Sequence, residues 1–161
     1  MNSTTLKYLL RSLRPVFILL FLQANVLTAQ TDPKEQAIDD IKDALRLETQ
    51  YFLQRDLRAW EGQWSHEHFV MKCYIRDGKY LEQKGWPVIR QSALDYMQAH
   101  PEPEQITMEV PEYEISVFES SAFVSYIQPD PIRGKKREIR LMVRENGRWK
   151  IGYMSTNYLT D

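Results

Sequence analysis

Alternating apolar and polar residues are clearest near the C terminus, on both sides of Asn146-Gly147. An Asn-Gly pair favours a type I′ hairpin turn, because both residues tolerate the positive φ that this turn requires. Arg140 and Arg144 fall on one face of the first run, opposite its apolar residues. The apolar side chains that share a face are Ile139, Leu141 and Val143 before the turn and Trp149, Ile151 and Tyr153 after it. Residues 137–158 therefore predict two half-buried antiparallel strands.

The N-terminal half has helical periodicity instead. Asp32 followed by Pro33 is a typical helix start, and the next apolar residues recur at helical spacing. Asp56 can cap a short second helix, and Pro87 can begin a third one that stops before His100-Pro101. The apolar stripes of these helices are Ile38, Ile41, Leu45 and Phe52; then Leu57, Trp60 and Trp64; then Trp86, Ile89, Ala93, Leu94 and Met97. All three helices are expected to lie on a core.

Extended segments fill the remainder of the chain. Asp77-Gly78 predicts a second hairpin, between a strand over 66–74 and a short return strand over 80–83. Later apolar runs predict strands over 106–110, 113–117 and 122–128. Residues 129–136 are predicted to form an exposed polar loop. Helices first and strands afterwards indicate a single α+β domain over residues 30–161.

The first 29 residues differ from this domain. Lys7, Arg11 and Arg14 precede an apolar run over 16–22, and small residues end the segment at Ala29. This order is typical of a secretory signal peptide. The uninterrupted run is seven residues long, well short of the ~20 that span a bilayer. We therefore expect an exported protein, periplasmic or secreted, with no stable membrane span once the leader is removed.

Charge and cysteine content narrow the function classes. The chain has 21 basic and 22 acidic residues and no basic stripe, so nucleic acid is not an expected partner. Cys73 is the only cysteine, which excludes an intramolecular disulfide. Cys73 lies in an apolar run and is expected to be buried.

Aromatic residues are the richest feature for function. Core packing explains most of them, but a domain of this size cannot satisfy every Trp and Tyr polar group internally, so some are expected to line a cavity. The candidate ligand-binding residues are Trp60, Trp64, Tyr74, Trp86, Tyr126, Trp149 and Tyr153, with Ser125, Ser155 and Tyr51 as polar contacts. Such a pocket would suit a small hydrophobic ligand.

Two histidines suggest other chemistry. His66 and His68 would share a face in a strand, but a third metal ligand (Cys73, Glu67 or His100) has no diagnostic spacing, so neither a metal nor another cofactor is expected. His66 could instead serve as a general base oriented by Asp56 or Tyr51.

Several segments together resemble the nuclear transport factor two-like superfamily, and its small SnoaL-like bacterial members in particular. They are Arg55 to Trp60 before the short helix, Gly85 to Ile89 at the start of the third helix, and Gly147 to Ile151 with Ser155 in the last strand. The resemblance covers most of residues 34–158. It implies a cystatin-like roll, in which a cone-shaped, curved sheet wraps three helices around a cavity, and homodimers that form through the outer face of the sheet.

That superfamily includes enzymes and binding modules, so the fold does not fix the function. Its ketosteroid-isomerase-like enzymes use a carboxylate base, a tyrosine and a protonated carboxylic acid. Tyr51 is placed plausibly for the hydroxyl donor, but residues 65–68, Ser-His-Glu-His, stand where an Asp base would be expected. Three hypotheses remain: an exported ligand-binding or accessory domain, a small lyase or isomerase that uses His66 or a nearby carboxylate, and a structural dimer module with a filled interior.

Overall fold

The computed structural model describes residues 32–76, 78–105, 110–130 and 134–159. The proposed leader lies outside the described residues, as does most of the strand predicted over 106–110. Among the described residues no helix combines the length and the apolar character needed to cross a membrane.

The helices begin where their capping residues predict. Helix α1 (Pro33–Leu53) starts after Asp32, whose carboxylate accepts a hydrogen bond from the Lys34 amide at 2.9 Å. Helix α2 (Leu57–Glu61) starts after Asp56, which caps the Ala59 amide in the same way. Helix α3 (Trp86–Ala99) has proline in its first turn. These three predictions are confirmed.

The described strands form one mixed sheet of six, in the order β2-β1-β6-β5-β4-β3. Their bounds are β1 Met71–Arg76, β2 Lys79–Lys84, β3 Glu114–Val117, β4 Ser121–Asp130, β5 Gly134–Glu145 and β6 Arg148–Leu159. Strand β1 runs parallel to β6, and every other pair is antiparallel. The sheet formed by the described strands is open, with β2 and β3 as its edges, so it is not a closed barrel.

The C-terminal hairpin forms as predicted. Asn146 and Gly147 have φ values of 50° and 78°, which is the backbone of a type I′ turn. The hairpin is longer than expected, because β5 begins at Gly134 and includes residues that the sequence pattern assigned to an exposed loop.

One face of the sheet packs against the helices and is called the helix-side face; the other is the open face. Strand β4 contributes Ala122, Val124 and Tyr126 to the helix-side core. In β5 the buried residues are Glu138, Arg140 and Met142, which alternate with Ile139 and Leu141. The apolar set of β5 therefore lies on the open face, and a charged pair lies in the interior. This reverses the usual expectation that the apolar face covers the core.

A register shift in β6 separates residues that the period-2 pattern placed together. The pairing moves from Leu141–Tyr153 to Met142–Ile151, which leaves Gly152 as the extra residue of a bulge. Trp149 and Ile151 are buried on the helix side, whereas Tyr153 pairs with the open-face Leu141. The prediction that Tyr153 shares a face with Trp149 is wrong for this reason.

Large aromatic side chains fill the core below the helices. Trp60 and Trp64 are fully buried, and their ring centroids lie 5.6 Å apart. The Trp60 indole nitrogen donates a 2.8 Å hydrogen bond to the buried Glu48 carboxylate on α1. These contacts fix α2 against α1 and close one part of the interior with side chains.

Candidate functional site

An open cavity of about 360 Å³ lies between the helices and the helix-side face of β1, β5 and β6. We call it the α3 cavity. Its walls are partly aromatic and apolar, and hydroxyl, amine and carboxylate groups converge on it. The lining residues are Phe52, Lys72, Tyr74, Ser92, Ala93, Tyr96, Lys136, Glu138, Met154, Thr156 and Tyr158.

Glu138 is the central polar group of this cavity. One carboxylate oxygen accepts hydrogen bonds from Arg140 Nη1 at 2.8 Å and Thr156 Oγ1 at 2.7 Å, and the other lies 3.2 Å from Lys136 Nζ. Burial alone would raise the pKa of Glu138, but the charges on Arg140 and Lys136 and these hydrogen bonds outweigh it and hold that pKa below its ordinary value. The carboxylate is therefore ionised and fixed in position.

Arg140 supports that carboxylate from deeper in the core. Burial disfavours its charge, yet the Glu138 and Glu48 carboxylates together keep the pKa of Arg140 above its ordinary value. Its guanidinium carbon lies 5.7 Å from the centre of the Tyr126 ring. Its Nε atom is buried without a hydrogen-bond partner. Arg140 thus connects the α3 cavity to the packing around Tyr126.

Aromatic rings form a second feature of the α3 cavity. Tyr96 and Phe52 stack with centroids 5.3 Å apart, and Lys72 Nζ lies 5.9 Å from the centre of the Tyr74 ring. The Tyr158 hydroxyl is 3.4 Å from an Asp130 carboxylate oxygen. Flat apolar groups can pack on such rings while polar atoms of a ligand meet the neighbouring amines and hydroxyls.

The structure distributes the sequence-predicted ligand residues over several places. Tyr74 lines the α3 cavity, whereas Trp60, Trp64 and Trp149 are buried core residues and do not line it. Tyr126 lines a different cavity, described below. Trp86 is half-buried and stacks on His66.

The remaining predicted polar contacts lie on the other side of the sheet. Ser125 and Ser155 both pair with Ile139 across β5, so they belong to the open face together with Tyr153. Ser125 accepts a hydrogen bond from Arg137 at 3.0 Å, and Ser155 accepts one from Asn157 at 3.1 Å. The β6 bulge explains the placement of Ser155 and Tyr153, because it moves the residues that follow Gly152 by one position. Ser125 lies on the open face because it alternates with Val124 and Tyr126 along β4.

The proposed proton-transfer group is not assembled in the structure. His66 is exposed; its ring stacks on Trp86 at 4.1 Å, and its Nε2 lies 3.1 Å from the Glu61 carbonyl oxygen. The Asp56 carboxylate caps α2, and Tyr51 is half-buried on α1. Within the described part of the chain, no hydrogen bond joins His66 to either residue, and no cluster of three or more potential metal ligands occurs.

Sequence reasoning missed the charged centre, which is formed by Lys136, Glu138, Arg140 and Thr156. The available signal was the spacing of two between Lys136, Glu138 and Arg140, which places alternating charges on one face of a strand. The sequence pattern instead places Lys136 in an exposed loop and Arg140 opposite the apolar residues of its strand, and charged residues are rarely fully buried unless they are paired.

Comparisons with known proteins identify the fold. No family model matches the chain, and no curated protein matches it. Solved structures do: an NTF-2 like protein of unknown function from Silicibacter pomeroyi has a TM-score of 0.59 at 12% identity, over 80% of this chain and 100% of that one. A cystatin-like fold protein from Burkholderia xenovorans has a TM-score of 0.60 at 16% identity, over 78% and 94%.

A third similar structure, a proposed dehydratase of the NTF2-like family from Streptomyces avermitilis, has a TM-score of 0.59 at 12% identity, over 80% and 99%. This chain therefore has the NTF2-like, cystatin-like α+β fold, as the sequence resemblance implied. The narrower likeness to SnoaL-like members stays a prediction.

Proposed function

We propose that this protein is a binding module for a small, largely hydrophobic molecule, which it holds in the α3 cavity. The observation that carries the proposal is Glu138, a buried and ionised carboxylate held by three neighbouring groups at the wall of an open, aromatic cavity. The cavity volume falls within the ~300–1,000 Å³ typical of ligand pockets. A polar group with fixed geometry can orient a ligand whose remaining surface packs on the rings.

The same features favour binding over proton transfer. An efficient general base has a pKa near the working pH, whereas the pKa of Glu138 is held below its ordinary value. His66 lies outside the cavity lining, and no carboxylate among the described residues is hydrogen-bonded to it. The lyase or isomerase hypothesis thus has no assembled acid–base pair to support it. A wholly filled interior is disfavoured too, because the α3 cavity is open.

Mass spectrometry of small molecules that co-purify with the protein tests this function. Ser92→Trp should block the α3 cavity, since Ser92 lines it from α3. Gln91→Trp is the matched control, because Gln91 is exposed on the same helix and does not line that cavity. We expect a co-purifying molecule with the parent and with Gln91→Trp, but not with Ser92→Trp. Equal recovery from all three proteins would refute binding in this cavity.

His66→Ala separates the two main hypotheses. A binding module with its ligand in the α3 cavity should retain that ligand after this substitution, because His66 does not line the cavity. Loss of a catalysed reaction of that ligand with His66→Ala would instead support the enzymatic hypothesis.

We also propose that two copies pair through the open face of the sheet. Phe123, Ile127 and Leu141 on this face are 44%, 44% and 37% exposed, and Phe123 pairs directly with Leu141 across β4 and β5. Ser125 separates Ile127 from Phe123 along β4, so the exposed apolar strip is centred on the Phe123–Leu141 pair. Exposed apolar patches often mark a protein interface. A second copy would present the same apolar strip, which suits a symmetric contact.

Export is the last part of the proposal, and it is supported by the basic, apolar and small-residue order of residues 1–29. Expression in a bacterial host followed by N-terminal sequencing of the periplasmic and secreted protein tests it. Cleavage after Ala29 is the expected result, and an uncleaved protein that stays in the cytoplasm would argue against export.

A further inference from the structure

A second cavity of about 240 Å³ lies between α1 and the helix-side face of β4, near the segment that leads into β3. We call it the α1–β4 cavity. It shares no lining residue with the α3 cavity, so it is a separate site rather than an extension. Leu45 and Thr49 line it from α1, and Pro111, Tyr113 and Tyr126 line it from the opposite side.

Two tyrosine hydroxyls are the distinctive groups of this cavity. The Tyr113 and Tyr126 rings contact each other edge to face, with centroids 5.0 Å apart. Tyr126 is only 7% exposed and Tyr113 is half-buried, and among the described residues neither hydroxyl has a hydrogen-bond partner. Neither hydroxyl oxygen is among the fully buried polar atoms without a partner, so both reach the cavity, where an acceptor from outside the chain can take the place of water.

The protonation state of these hydroxyls makes them donors. Burial raises the pKa of both tyrosines, and it outweighs the opposing effect of the Arg140 charge. Both phenols therefore stay protonated at neutral pH.

The charged residues at the edge of the cavity are already paired on the α1 surface. Arg46 bonds to Asp43 at 3.3 Å and to Gln50 at 3.1 Å, and Lys42 bonds to Asp39 at 3.4 Å. Exposed ion pairs of this kind are weak, so Lys42, Arg46 and the Gln128 amide are further donors at the edge of the cavity, beside the two phenols.

We infer that the α1–β4 cavity is a second ligand site. It takes a single-ring aromatic molecule whose carbonyl or carboxylate oxygen accepts hydrogen bonds from the Tyr113 and Tyr126 hydroxyls. The volume is below the ~300 Å³ of the smallest usual drug-sized pockets, which limits the ligand to about one ring. It is well above the ~30 Å³ that one water occupies in the liquid. Leu45 and Pro111 supply apolar walls for the ring.

Nuclear magnetic resonance of protein labelled with ring-¹³C tyrosine tests this inference. Acetophenone and benzoate are the probes, because they present a neutral and a charged acceptor oxygen on the same ring. Ethylbenzene is the probe control, since it has nearly the shape of acetophenone without the acceptor. We expect saturable shifts of the Tyr113 and Tyr126 signals with at least one acceptor probe, and at least about fivefold weaker binding of ethylbenzene.

Variants locate the binding. Tyr126→Phe and Tyr113→Phe keep the ring and remove one hydroxyl each. Each should weaken the binding of the acceptor probe about fivefold and leave the binding of ethylbenzene unchanged. Tyr80→Phe is the matched control, because Tyr80 lies on the edge strand β2 and lines neither cavity. Ser92→Trp should leave this binding intact even if it abolishes binding in the α3 cavity, which keeps the two proposals separable.

Three outcomes would overturn the inference. They are shifts confined to the α3-cavity tyrosines Tyr74, Tyr96 and Tyr158, equal binding of ethylbenzene and the acceptor probes, and no saturable shift with either acceptor probe.

Discussion

Arg140 Nη1 lies 2.8 Å from Glu138 Oε2, two residues away on the same strand, and the two side chains are 4% and 2% exposed. Both charges face the helices, where a sheet usually presents apolar residues. The apolar neighbours Ile139 and Leu141 face the other way. A buried pair of this kind is weak evidence for stability, because desolvation offsets the attraction between its charges. The position of the pair beside the α3 cavity fits the proposed role of that cavity in binding.

Substituting one member of this ion pair should destabilise the fold more than substituting both. Glu138→Gln leaves Arg140 charged and buried without its main partner, so we expect a loss of about 3–5 kcal/mol in the free energy of unfolding. The double variant Glu138→Gln with Arg140→Met should lose less than Glu138→Gln alone. Urea unfolding measures the free energy of unfolding of the single and the double variant. A double variant that is less stable than Glu138→Gln alone would contradict this account.

Low pH should reduce the free energy of unfolding through protonation of the same carboxylate. The pKa of Glu138 is lowered in the folded state, so its ionisation contributes stability above the ordinary glutamate pKa of ~4.3. That contribution should diminish as the pH falls from about 5 towards the folded-state pKa. Unfolding free energies measured over this range should fall less steeply for Glu138→Gln than for the parent. Identical slopes would show that Glu138 does not titrate as described.

A charge on the open face should dissociate the proposed dimer. Leu141→Glu places a carboxylate in the middle of the exposed apolar strip, and burying it unpaired on association would be costly. We expect a monomer in light scattering after size exclusion. Val88→Glu is the control, because Val88 is 51% exposed on α3 and lies off this face. A parent protein that is already monomeric would remove the basis for the dimer.

The turn of the C-terminal hairpin should depend on glycine. Gly147 has φ of 78°, so Gly147→Ala should cost about 1–2 kcal/mol of unfolding free energy even though open space surrounds the site. Asn146→Gly should cost much less, because glycine also accepts the positive φ of that position. Thermal unfolding of the three proteins would measure the difference, and a neutral Gly147→Ala would contradict it.

Local features were predictable from the sequence. Asp32 and Asp56 mark helix starts because their side chains satisfy the amides of the next turn, and that chemistry acts within a few residues. Asn146-Gly147 fixes the hairpin because the φ restriction belongs to the residues themselves. The candidate site was harder to predict from the sequence. Tyr74 was expected to line a pocket and does so, whereas Glu138 and Thr156 come together only across paired strands.

The sequence by itself determined the order of helices and strands, the helix starts and the C-terminal turn, since each depends on contacts between near neighbours along the chain. Only the tertiary structure decided which face of β5 is buried. A period-2 pattern defines two faces but does not state which one the helices cover. Tertiary pairing likewise decided where the β6 bulge falls and thereby placed Tyr153 and Ser155 on the open face. The ion pair of Glu138 and Arg140 is tolerated inside because each group supplies the partner that the other needs once water is excluded.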